Sequence, residues 1–181
     1  MRNNRPRKEK GFTLIEVMVA MVVLVFGVLS LVSVVTRGLR ASYQTQIQYI
    51  AQQKAQEAME SIFTARDTRL VTSAQINNVS NGGIFKDNAQ SLCAPGPDGL
   101  FGTSDDDCTN PDSIVVAPGP DNIFGTADDI TVNLNPWMTR TIVIAPVANT
   151  PNLKSITVTI NWTYQGQTSS YQLVSFISNF S

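Results

Sequence analysis

From Phe12 to Val35 the chain is apolar except for small polar side chains and one ionisable group, Glu16. A run of this length can cross a bilayer, for which about 20 apolar residues suffice. Beyond it the pattern turns amphipathic. Leu39, Tyr43, Ile47, Ile50, Ala51, Ala55, Ala58 and Ile62 recur at three- and four-residue steps, opposite a face of Gln44, Gln46, Gln48, Gln52, Gln53, Lys54, Gln56 and Glu57. That is helical spacing, and no Pro interrupts it before Arg69. The pattern predicts one helix over 12–66, its first half in an apolar medium and its second half packed on a head. Gly27 and Gly38 are its weak points, each costing up to about 1 kcal/mol against Ala.

The last third alternates instead with a period of two. Thr139–Ala145, Ser155–Tyr164 and Ser169–Ile177 are rich in Val, Ile, Thr and aromatic residues, and Gln165-Gly166-Gln167 supplies a hairpin turn. An antiparallel sheet over 137–181, with one buried face, can cover the apolar stripe of the helix. Between the two lies 67–136, rich in Asn, Asp, Gly, Pro and Ser, which reads as an irregular acidic insertion. The predicted fold class is therefore α+β, a long amino-terminal helix packed on a small carboxy-terminal antiparallel sheet.

The insertion contains a repeat at a spacing of 23 residues. Pro95-Gly96-Pro97-Asp98-Gly99-Leu100-Phe101-Gly102-Thr103-Ser104-Asp105-Asp106 aligns with Pro118-Gly119-Pro120-Asp121-Asn122-Ile123-Phe124-Gly125-Thr126-Ala127-Asp128-Asp129, and ten of the twelve positions are identical or similar. Two copies are too few for a solenoid and read as paired turn modules. Asp98, Asp105, Asp106, Asp121, Asp128 and Asp129 are candidate calcium ligands, because that ion takes six to eight oxygens, partly from carbonyls in tight turns. The competing reading is a pair of Asp-capped turns plugged by Phe101 and Phe124, with no metal. No basic residue lies between Lys86 and Arg140 to neutralise these acids along the sequence. Cys93 and Cys108 bracket the first copy, and a disulfide between them is the simplest reading for a segment maturing in an oxidising compartment; two free thiols are the alternative.

Charge narrows the function. The sequence holds 13 Lys and Arg against 14 Asp and Glu, and residues 1–11 contain five of those basic residues and one acid, so the remainder carries 8 against 13. A broad basic surface for nucleic acid is not supported. The sequence has no His, which excludes imidazole catalysis and His-ligated metals. By the positive-inside rule the basic leader stays cytoplasmic, and everything after the span faces outward.

Glu16 requires an explanation, since a charge at bilayer depth costs roughly 2.5 to 3.5 kcal/mol even on lenient scales. A cleaved secretory signal has a shorter apolar core, about 7 to 15 residues, and a plain anchor gives the acid no purpose. The cheapest partner for a carboxylate among lipid tails is a cation at the same depth; the alternative is that Glu16 sits at the interface and snorkels.

The stretch Lys10-Gly11-Phe12-Thr13-Leu14-Ile15-Glu16 resembles the processing site of type IV prepilins and pseudopilins. The resemblance implies that prepilin peptidase removes 1–11 by cutting between Gly11 and Phe12 and methylates the new amino terminus at Phe12. It also implies that Glu16 meets the Phe12 ammonium of a neighbouring subunit during assembly. The Trp162-to-tail hairpin is more loosely similar to PilV-class minor pilins and to short type II secretion pseudopilins. Many major pilins carry a helix-kinking Pro where this chain has Ser33-Val34-Val35, so the resemblance points to a minor pilin, with a type II secretion pseudopilin as alternative. A third reading, of another class, is a membrane-anchored calcium-dependent surface adhesin. The expected setting is the inner membrane, single-pass with the head outside, then a pilus or pseudopilus; the expected partners are the peptidase and other pilins. No enzyme activity is expected, and no cofactor other than calcium.

Overall fold

A computed structural model describes residues 11–150 and 152–178; the leader up to Lys10 lies outside the described residues. Helix α1 runs over Leu14–Asp67, agreeing with the predicted helix to within two residues at either end and passing through Gly27 and Gly38. The chain divides into two compact units, the first ending at Gln46 and the second beginning at Ile47. In the first unit every described side chain of α1 is exposed. Such a surface suits lipid or other apolar helices, and the helix is long and apolar enough to cross a membrane. Its Ser30 and Thr36 hydroxyls donate to the carbonyls of Phe26 and Val32, each at 2.8 Å, so neither asks for an outside partner.

In the second unit α1 buries Ile47, Ala51, Lys54, Ala55, Ala58, Met59, Ile62 and Ala65. Two sequence expectations fail here. Leu39 and Tyr43 are exposed, because the buried stripe begins only at Ile47. Lys54, assigned to the polar face, lies on the buried one. Its ammonium sits 2.9 Å from a carboxylate oxygen of Asp112 and 2.9 Å from one of Glu57, which compensates burial of the charge.

The remaining elements are β1 (Gln90–Ser91), β2 (Cys93–Ala94), β3 (Asp107–Pro111), β4 (Ser113–Ala117), β5 (Ile130–Asn133), β6 (Met138–Pro146), β7 (Leu153–Tyr164) and β8 (Gln167–Ser178). The main sheet is antiparallel with order β1-β6-β7-β8, and β2-β3 and β4-β5 form two small pairs. The insertion over 67–136 is thus organised as short hairpins rather than being irregular throughout. Between β7 and β8, Gln165 and Gly166 both have positive φ, 50° and 78°, and Tyr164 faces Gln167. Two left-handed residues in succession match the twist of a two-residue hairpin.

Alternation along the strands sets the core. Met138, Ile142 and Ile144 of β6 and Ile156, Val158, Ile160 and Trp162 of β7 turn inward, joining Ala51, Ala55, Ala58 and Ile62 of α1 in one apolar cluster. Beyond the two-residue β1, the outer edge of β6 is occupied by one side chain. The buried amide of Asn78 donates to the carbonyl of Ile142 and accepts from the N–H of Ile144, both at 2.8 Å, and so stands in for a neighbouring strand.

Candidate processing site and paired acidic modules

Thr13 opens α1. Its side-chain oxygen and its carbonyl both accept from the Glu16 N–H, at 3.3 and 3.1 Å. Thr13-x-x-Glu16 is the spacing of a capping box, and an acid in the first turn is favoured by the helix dipole. The Glu16 carboxylate itself has no partner among the described residues. One turn to either side stand Phe12 and Ala20, and with Val17, Met21 and Leu24 they line an open apolar groove holding the acid. Gly11 and Phe12 precede the first helical turn and are exposed, Phe12 by 82%. Gly11, Phe12 and Glu16 thereby lie within six consecutive residues at the start of α1.

The two acidic modules have the same internal wiring. In the first, Asp98 accepts from the Leu100 N–H at 2.8 Å, Asp106 accepts from the Gly102 N–H at 2.8 Å, and Asp105 accepts from the Thr103 hydroxyl at 2.7 Å. In the second, Asp121 accepts from Ile123 at 2.9 Å, Asp129 from Gly125 at 2.6 Å, and Asp128 from the Thr126 hydroxyl at 2.6 Å. A Cβ at Gly96 would collide with the Asp105 carbonyl and carboxylate, and one at Gly119 with those of Asp128, so the Pro-Gly-Pro corner must be glycine. Gly99 takes φ 69° and its counterpart Asn122 takes φ 55°, the replacement most tolerant of that region.

The carboxylates thus serve as acceptors for their own turns. Nowhere among the described residues do three His, Cys, Asp or Glu side chains gather as a set of metal ligands. The six candidate aspartates fall into two triads, each closing one turn.

The modules differ in surroundings. Leu100 is fully buried and Phe101 half-buried beneath Arg140, whose guanidinium carbon stands 4.3 Å from the ring centre. Sequence reasoning overlooked Arg140, although its place in the inward register of β6 was readable. It is 1% exposed, and Nε, Nη1 and Nη2 have no hydrogen-bond partner. Burial raises the pKa of Asp106, against the opposing pull of Arg140 and Lys86. The first module therefore has cations through space that it lacks along the sequence. In the second module the expected plug is absent: Phe124 is 65% exposed and Ile123 60%.

Cys93 and Cys108 form the disulfide expected of them, with Cα atoms 4.7 Å apart, and it joins β2 to β3 around the first module. Asp105 and Asp128 are held below the usual carboxylate range chiefly by the Thr103 and Thr126 hydroxyls.

An apolar amino-terminal helix with an early acid, continued into an α+β head, defines a pilin-like protein. Residues 6–32 match the family model described as the prokaryotic N-terminal methylation motif. That match covers the amino terminus alone, and there the chain is similar to the type IV prepilins and pseudopilins. No curated protein and no solved structure matches it.

Proposed function

We propose that the chain is a minor subunit of a type IV pilus, cut between Gly11 and Phe12, methylated at Phe12, and inserted into the filament through pairing of Glu16 with the terminal ammonium of a neighbour. The observation that carries this reading is the unpartnered Glu16 carboxylate in an apolar groove one turn from Phe12. A carboxylate in such a place is stabilised by a cation brought to the same depth, and a cleaved terminus supplies one. The acidic modules and the sheet belong to the outward-facing head and take no part in this step.

Mass spectrometry of the protein recovered from membranes and from sheared surface filaments tests the reading. The expected result is a chain beginning at methylated Phe12 in both fractions. Glu16→Val is expected to remain in the membrane fraction and to be depleted from filaments. An intact leader in wild-type cells, or equal incorporation of the variant at equal expression, would sink it. A type II secretion pseudopilin would share the amino terminus, but its deletion would abolish exoprotein release and leave surface pili intact.

A further inference from the structure

The two modules share one backbone design but not one environment. The first lowers Leu100 into the core and lays Phe101 against a guanidinium, so the molecule itself displays the surface this module fits: an apolar bed beside a cation. The second presents the equivalent pair, Ile123 and Phe124, to the outside, flanked by the exposed Asp121 and Asp128. A tip of this kind calls for an apolar seat with basic walls.

The head contains such a seat. A cavity of about 400 Å³ has Val71, Ile76 and Ile177 in its lining and is walled by Arg66, Arg69 and Lys154. All three apolar side chains are buried and form its floor. The volume falls within the range of about 300 to 1,000 Å³ typical of ligand pockets. The one acid in the wall, Asp67, is engaged by Arg66 at 2.7 Å. Lys154 donates to the carbonyls of Ser73 and Ile76 at 2.6 and 2.9 Å, neither of which neutralises its charge. Arg69 has no side-chain partner among the described residues. Two cations therefore stand uncompensated over an apolar floor, the complement in charge and polarity of the exposed tip.

We propose that the second acidic module of one copy of this chain docks into the Arg66, Arg69 and Lys154 cavity of a second copy, with Ile123 and Phe124 on the apolar floor and the exposed Asp121 and Asp128 facing Arg69 and Lys154. The two surfaces lie on different parts of the chain, so the contact is heterologous and can repeat from subunit to subunit. It is independent of how the amino terminus is processed.

Cysteine trapping with the full-length chain in detergent micelles tests this contact. Ala127→Cys, beside the tip, and Ser73→Cys, in the cavity wall, are purified separately with the Cys93–Cys108 bridge intact, then mixed and oxidised. The expected product is a disulfide-linked dimer of the two variants, exceeding what either gives alone. Adding Phe124→Ala to the first protein, or Arg69→Glu to the second, should return the yield to the unmixed level. Asp128→Lys in the tip protein should restore it against Arg69→Glu. A mixture yielding no more dimer than the separate variants overturns the proposal, as does a yield indifferent to Arg69→Glu. A double variant that closes its own bridge as a monomer would place the contact within one chain and overturn it equally.

Discussion

The Arg140 guanidinium lies over the Phe101 ring, 4.3 Å from its centre, and among the described residues it finds no hydrogen-bond partner, Asp106, Asp112 and Glu57 acting on it through charge alone. Burying a guanidinium without hydrogen bonds is unfavourable, and an aromatic face offsets only part of that cost. Arg140→Met should therefore keep the fold and leave its stability unchanged or raised, whereas Phe101→Ala, which empties a half-buried site, should cost about 2 kcal/mol. Thermal melting of the two variants checks the contrast. In Arg140→Met the Asp106 carboxyl, already raised by burial, should titrate higher still, since a cation that favours its charged form is gone.

Lys54 ties α1 to the insertion through Asp112. Burial pushes its ammonium down, yet the hydrogen bonds and charges of Asp112 and Glu57 outweigh this and leave it raised. Lys54→Met leaves the nearly buried Asp112 carboxylate uncompensated and should destabilise the head by about 3 kcal/mol. Lys54→Met combined with Asp112→Leu should recover most of the loss. Denaturant melts of the single and double variants give the coupling; a purely additive result would show that the bridge contributes nothing of its own.

Acid should loosen the second module before the first. A carboxylate held low in the fold contributes stability above its ordinary value of 3.8, and that contribution is lost as pH falls through the depressed value. Asp105 and Asp128 have this sign. Asp106 has the opposite one: its contribution is present at low pH and fades as pH rises through its raised value, so it partly offsets Asp105 in the first module only. Hydrogen exchange at Ile123 and Gly125 should therefore accelerate below pH 3.8 ahead of that at Leu100 and Gly102. Thr126→Val should bring the Asp128 midpoint back toward its ordinary value by carboxylate NMR.

Each of the six turn carboxylates accepts at least one hydrogen bond from its own turn, and this bears on calcium. The melting temperature is expected to be the same in millimolar calcium as in chelator. A rise in calcium that is lost in Asp128→Ala with Asp129→Ala would show instead that a cation displaces the turn hydrogen bonds.

Reduction of the Cys93–Cys108 bridge, which spans a sequence separation of 15, should lower stability by about 3 kcal/mol on the chain-entropy account. Melting with and without a reductant, against the Cys93→Ala, Cys108→Ala variant, measures it.

Much of this architecture was legible because it is local. The helix, the three long strands and the Gln165-Gly166 turn each follow from a period or a dipeptide that needs no distant partner. Glu16 stood out because a lone Glu in an apolar run has few explanations. What escaped depends on contacts remote in sequence. Lys54 looks like a solvent residue until Asp112 is placed beside it. Phe101 and Phe124 look equivalent until one meets Arg140 and the other meets nothing. Arg140 could have been found, since alternation from Met138 to Ile144 puts it inside, but a strand that buries an arginine contradicts the usual expectation. Asn78 gave no signal, because its role is to complete a backbone ladder 64 residues away.

That amide has a wider consequence. With Asn78 and β1 closing the outer side of β6, the main sheet keeps one open margin among the described residues, the length of β8. A sheet with two bare margins can recruit strands without end, whereas one with a single bare margin can at most pair with another such sheet and then has none left. Copies of this head crowded together would thereby be guarded against runaway ribbon growth, a safeguard that Asn78 shares with the two residues of β1.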